Sequence, residues 1–224
     1  MAKHQPEETR TSIDEVNDTL TGIGEKVQNN PKVIVWTCVA VAAVVCVVLI
    51  YFYAFHQPSK AAASKALGQA DIELALGNDS IALAKYQEVA ANHSFAAGNL
   101  ANLNAAILLY KDGKYEEAIK YLDDYDPTES IIGASSRSLM GDCYVNLKQY
   151  DKAISCFKEA VKLSDNNPHY TPAFLIKEAT VYRELKDYKA EAAAYKEIMT
   201  KYPNFGRENG IDIDKYLKRA EKAE

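Results

Sequence analysis

Glycine and proline are scarce, ten and seven in 224 residues, too few for a fold that turns on tight β hairpins. No window clusters lysine and arginine, and the formal net charge is −5, so the chain has no electrostatic footprint for nucleic acid. No glycine-rich phosphate loop follows an apolar strand; Gly22 and Gly24 stand in a polar tail. The four histidines, His4, His56, His93 and His169, have no cysteine, serine or acid partner at ligand or triad spacing and read as exposed turn residues. The acid pairs Glu116/Glu117 and Asp123/Asp124 are sequence neighbours and read as solvated helix faces. The expectation is a protein without enzymatic activity, cofactor or metal.

Cysteine is sparse as well. Cys38 and Cys46 fall in an apolar run, where a thiol behaves as a small hydrophobe. Cys143 and Cys156 lie thirteen apart with no further ligand nearby, too few for a zinc site. Their spacing is compatible with a disulfide and with two free thiols in packed helices. The triplets at Asn17, Asn78 and Asn92 match the glycosylation pattern, which occurs often by chance.

What is abundant is alanine, leucine, lysine, glutamate and tyrosine, a helical composition. Residues 1–32 are polar, with four basic and six acidic side chains, and read as a largely disordered tail. Within it Ile13, Val16, Leu20, Ile23 and Val27 hold the spacing of a short amphipathic helix. Val33 to Phe55 then runs 23 residues without a charge, long enough to cross a bilayer core of roughly 30 Å. Trp36 near one end and Tyr51 to Phe55 at the other are the side chains expected at membrane interfaces. The run exceeds the ~7–15 apolar residues of a signal peptide, so a retained anchor is expected despite the "AAAS" at 61–64. Lys26 and Lys32 on one side balance Lys60 and Lys65 on the other, so charge leaves the orientation open.

From residue 60 onward the pattern predicts helix almost throughout. Breaks are expected at 76–79, 92–98, 111–114, 125–130, 147–149, 164–172, 185–187 and 202–206. Laid over one another, the segments share a register. Ala82, Ala118, Ala153 and Glu191 occupy one position, at spacings of 36, 35 and 38. Four residues on stand Tyr86, Leu122, Phe157 and Tyr195; twelve before it stand Ala70, Ala106, Gly141 and Ala179. Small residues let two antiparallel helices approach closely, and the large ones fill the space to the next pair. No pair buries its apolar face alone, so the pairs must stack.

This pattern, best seen in "SLMGDCYVNLKQYDKAISCFKEAVKLSDNN" at 138–167, resembles the tetratricopeptide repeat. The resemblance implies an all-α architecture: one N-terminal transmembrane helix, then a right-handed α-solenoid of about four helix pairs with a C-terminal capping helix. The divisions are a tail at 1–32, a span at 33–55, a linker at 56–64, repeats at 65–210 and the cap at 211–224. In that family the first helices line a concave groove. By register this implies partner-binding positions at Leu67, Asp71 and Leu74; Leu103, Ile107 and Tyr110; Ser138, Asp142 and Val145; and Ile176, Thr180 and Arg183. Leu103, Ile107 and Tyr110 would form an apolar strip, open to a partner or to the helix over 60–76. Those positions lack the lysine and asparagine of a carboxylate clamp.

The layout of tail, span and repeats is similar to the YfgM-like family of ancillary Sec translocon subunits. That similarity implies a cytoplasmic tail, a bacterial inner-membrane anchor, repeats in the periplasm, and partners among translocon subunits, periplasmic chaperones or unfolded clients. A cell-envelope or division scaffold and a mitochondrial presequence receptor share the same layout.

Overall fold

The computed structural model describes residues 31–93 and 96–224, so the tail helix expected at 12–27 lies outside the described residues. The chain divides into two units, Met1–Pro58 and Ser59–Glu224.

In the first unit, α1 (Pro31–Tyr51) is followed by a π-helical turn, Phe52–His56, closed by the Gln57 N–H on the Phe52 carbonyl. Pro58 explains the turn: it has no N–H for the Ala54 carbonyl and its ring crowds that group, and the wider turn relieves the crowding. The side chains from Val35 to Phe55 are exposed. At 21 residues α1 is about 31 Å long. This helix is long and apolar enough to cross a membrane.

The second unit is a stack of helix pairs. It comprises α2 (Gln57–Ala75), which starts in the first unit, α3 (Asp79–Asn92), α4 (Ala96–Lys111), α5 (Tyr115–Asp123), α6 (Ser130–Asn146), α7 (Tyr150–Leu163), α8 (Thr171–Glu184), α9 (Tyr188–Lys201), α10 (Phe205–Asn209) and α11 (Ile213–Ala223). Among the described residues there is no strand. From α3 to α9 each helix packs on the next, and α11 reaches past α10 to pack on α9. The breaks up to residue 204 fall where they are expected from the sequence; the short helix Phe205–Asn209 and the break at Gly210, which adopts a φ of +67°, are not foreseen.

The first helix of each pair ends the same way. Gly77, Gly113, Lys148 and Lys186 adopt positive φ, at +79°, +76°, +57° and +61°. At each, two backbone bonds close the helix: Lys148 N–H donates to the Val145 carbonyl and Gln149 N–H to the Tyr144 carbonyl, at 2.9 and 2.8 Å. The equivalent pairs recur at Gly77/Asn78, Gly113/Lys114 and Lys186/Asp187. This is the Schellman motif, which satisfies the orphan carbonyls at a helix end. Glycine adopts the left-handed residue without strain; lysine does not.

The register positions are buried in every pair. Ala70, Ala106, Gly141 and Ala179 face the interior, as do Ala82, Ala118, Ala153 and Glu191, with Tyr86, Leu122, Phe157 and Tyr195 packed beyond them. At Gly141 there is no room for a side chain: a Cβ there would lie 2.6 Å from Phe157 Cε1.

The two ends of the stack differ. Leu108, Cys143 and Val181 share a register two residues past the small position, and all three are buried. In the first pair that position is Ile72, which is 60% exposed. At the other end α11 buries Ile213, Leu217 and Ala220 in a cluster with Tyr195 and Ile198, and turns Lys215, Lys218, Glu221 and Lys222 outward.

Lys148→Gly and Lys186→Gly each raise stability by up to about 1 kcal/mol, and Gly141→Ala lowers it by about 1–3 kcal/mol. Urea denaturation with an unchanged m-value checks all three.

Candidate protein-binding surface

The first helices α2, α4, α6 and α8 carry the twelve positions inferred from the register. On α4 the aliphatic strip is open at two points: Leu100 is 43% and Ile107 40% exposed. Leu103 and Tyr110 are half-buried and pack on the core, as do Leu67 and Leu74 on α2. The sequence reading missed Leu100. It lies three residues before Leu103 on the same helical face, in register with Ser64, Ser135 and Ala173, and that step would have found it.

The polar positions are tied to neighbouring helices. Tyr86 donates its hydroxyl to Asp71 Oδ1 at 2.7 Å, and the same hydroxyl also meets Asn104 on α4. Burial, with the Asp71 bond second, pushes the Tyr86 phenol well above its ordinary range. Tyr110 leans edge-on against Tyr115, ring centroids 5.6 Å apart, and bonds Asn146 on α6. Burial and the nearby Asp142 charge raise its pKa.

Ser138 lies beneath the surface rather than on it, at 2% exposure. The reason is Lys177, the residue after Ile176, whose ammonium donates to Ser138 Oγ at 3.0 Å and to Asp142 Oδ2. It also lies 5.9 Å from the Phe157 ring centroid. Burial lifts the Asp142 carboxyl above the usual carboxylate range, and Lys177 pulls it back part-way. On α8, Ile176 is half-buried against the C-terminal core, and exposed Thr180 donates to the Ile176 carbonyl at 2.9 Å.

Arg183 joins a second cross-link. Glu191, fully buried, accepts from Arg183 Nη1 at 3.4 Å and from Arg219 Nη2 of α11 at 2.8 Å, both on Oε1. Oε2 and Arg219 Nε lack a partner. Arg219 lies over Tyr216 at 5.0 Å, and Tyr216 stacks on Tyr195 at 5.7 Å, so α11 is held by charge and by rings together. Cys143 and Cys156 are free, buried thiols, pushed up by burial to about 12 and about 11, well away from thiolate reactivity.

Residues 175–204, the fourth pair, match the family described as tetratricopeptide repeat. Residues 88–160 match the family of anaphase-promoting complex, cyclosome, subunit 3. The repeated helix pair is of the tetratricopeptide type. Solved tetratricopeptide-type folds resemble the chain at low identity. The Cut9 and Hcn1 hetero-tetramer of the anaphase-promoting complex superposes with a TM-score of 0.53 at 21% identity, covering 70% of this chain and 29% of that one. A crystal structure of MamA gives 0.54 at 18%, covering 72% and 91%. MamA from residue 41 of Desulfovibrio magneticus RS-1 gives 0.52 at 17%, covering 66% and 77%. At these identities the likeness concerns the fold. No curated protein matches the chain. Repeat proteins of this type serve protein–protein interaction and are typically non-catalytic.

The repeat's charged cross-links carry unequal costs. Arg219→Met leaves a fully buried carboxylate with only the longer Arg183 contact and costs about 3–5 kcal/mol. Glu191→Ala costs less, on the order of 1–2 kcal/mol, because both arginines are more than a third exposed and regain water. Lys177→Met strips Asp142 of its cation and raises its folded pKa further. A carboxyl raised on folding stabilises least above its folded pKa, so stability of this variant falls as pH rises through that value. Its deficit against the parent is larger at pH 7 than at pH 4, as denaturation at both values reads out.

Proposed function

We propose that this protein is a membrane-anchored adaptor that uses the α4 face of its repeat domain to bind an envelope protein or an emerging secreted chain beside the Sec translocon. The observation that supports the reading most directly is the aliphatic strip on α4. Leu100 and Ile107 stay open to solvent, whereas the register positions Tyr86, Leu122, Phe157 and Tyr195 are buried. An exposed strip of that kind is what an amphipathic segment docks on. The exposed apolar α1 supports the anchor, since a helix with such side chains along its whole length is stable in lipid and not in water. The tail–span–repeat layout supports the translocon setting, with the tail in the cytoplasm and the repeats in the periplasm of a bacterial inner membrane. The polar residues of the face hold neighbouring repeats in place; the binding contacts come from α4.

Photo-crosslinking in intact cells tests this, with the probe at Leu100 and at Ile107 and adducts identified by mass spectrometry. Translocon subunits, periplasmic chaperones or many secreted chains are expected. Adducts confined to one unrelated complex make the protein a scaffold instead, and crosslinks only to its own residues 60–76 remove the strip as a binding surface.

A further inference from the structure

The apolar strip has one charged neighbour with no counterion. Of the acids at the face positions, Asp142 has Lys177, and the buried Glu191 behind Arg183 has two arginines. Asp71 is exposed and accepts a hydrogen bond from a neutral group, the Tyr86 hydroxyl, at 2.7 Å. Among the described residues no lysine or arginine comes within ion-pair distance of it. The next two acids along the chain do have cations: Glu73 has Lys85 at 2.8 Å and Asp79 has Lys111 at 2.9 Å.

The Tyr86 hydroxyl also places this acid. It meets Asn104 as well as Asp71, so Asp71 on α2 lies beside α4 at the residue following Leu103 and three before Ile107. The strip and the unpaired acid therefore form one surface. We propose, resting on the reading of α4 as the docking face, that its partner is an amphipathic helical segment with a lysine or arginine beside its aliphatic stripe. The aliphatic side chains lie on Leu100, Leu103 and Ile107, and the cation reaches Asp71. The protein's own tail does not suit the site. Residues 12–27 carry Asp14, Glu15, Asp18 and Glu25 against a single Lys26, and would bring like charge to Asp71.

The pair at Asp71 is exposed, so its contribution is a selectivity of about two- to fivefold in affinity. The test uses the full chain in lipid nanodiscs and two fluorescein-labelled helical model peptides. They share one leucine stripe and differ in lysine or glutamate beside it; fluorescence anisotropy gives Kd. The lysine peptide is expected to bind two- to fivefold tighter, with the preference shrinking at high salt. Asp71→Asn, which keeps an acceptor for Tyr86, is expected to abolish the preference, and Asp71→Lys to invert it. Ile107→Asp, at an exposed position, is expected to weaken both peptides at least tenfold. If Ile107→Asp weakens both but neither the peptide charge nor Asp71→Asn matters, the docking face stands and the cation is overturned. If Ile107→Asp changes nothing, or neither peptide binds, the docking face falls and the inference with it. Tighter binding of the glutamate peptide also overturns it.

Discussion

Above the level of the single helix, the structure depends on how closely the two helices of a pair approach. Ala70 with Ala82, Ala106 with Ala118, and Gly141 with Ala153 keep the crossing free of side-chain bulk, and all are buried. At Gly141 the Phe157 ring occupies the space a methyl group would take. That approach brings Tyr86, Leu122, Phe157 and Tyr195 to the rear of each crossing, where the next pair covers them. Pairing and stacking thus share one cause, and a change in one crossing is felt in the neighbouring pair.

Polar contacts refine what the apolar register builds. Lys177 joins α8 to α6, Tyr86 joins α3 to α2 and α4, and Arg219 joins α11 to α9. Each crosses from one helix to another, and Lys177 also engages Ser138 and Asp142 at face positions. The consequence for recognition is subtractive. Once these side chains are engaged with one another, what the face offers a partner is the aliphatic stripe of α4 and the single acid Asp71.

The helix boundaries were legible because breakers and caps are local. Gly77, Gly113, Asn166, Pro168 and Pro203 mark turns by backbone chemistry that needs no tertiary contact. The small and large register positions were legible because they recur. The site was less so. Ser138 counts as a surface position by register, yet a lysine 39 residues away covers it. Glu191 reads as a departure from an alanine position, and its meaning lies with Arg219, 28 residues on. Lys148 and Lys186 look like ordinary turn residues, and only backbone angles reveal that they stand where glycine stands in the first two pairs. In each case the missing information was a contact between distant segments, which periodicity does not encode.

The ends of the stack carry a last consequence. A helical repeat with matching ends would polymerise, each copy seating its first helix on the last helix of another. Here the head presents Ile72, in the register that elsewhere lies beneath a preceding helix, while the tail presents the lysines and glutamate of α11. Apolar surface gains nothing from that charged helix, and removing α11 would expose Tyr195 and break its bond to Glu191. The charged outer face of α11 therefore does not offer the Ile72 end the apolar cover that a preceding helix gives the same register elsewhere.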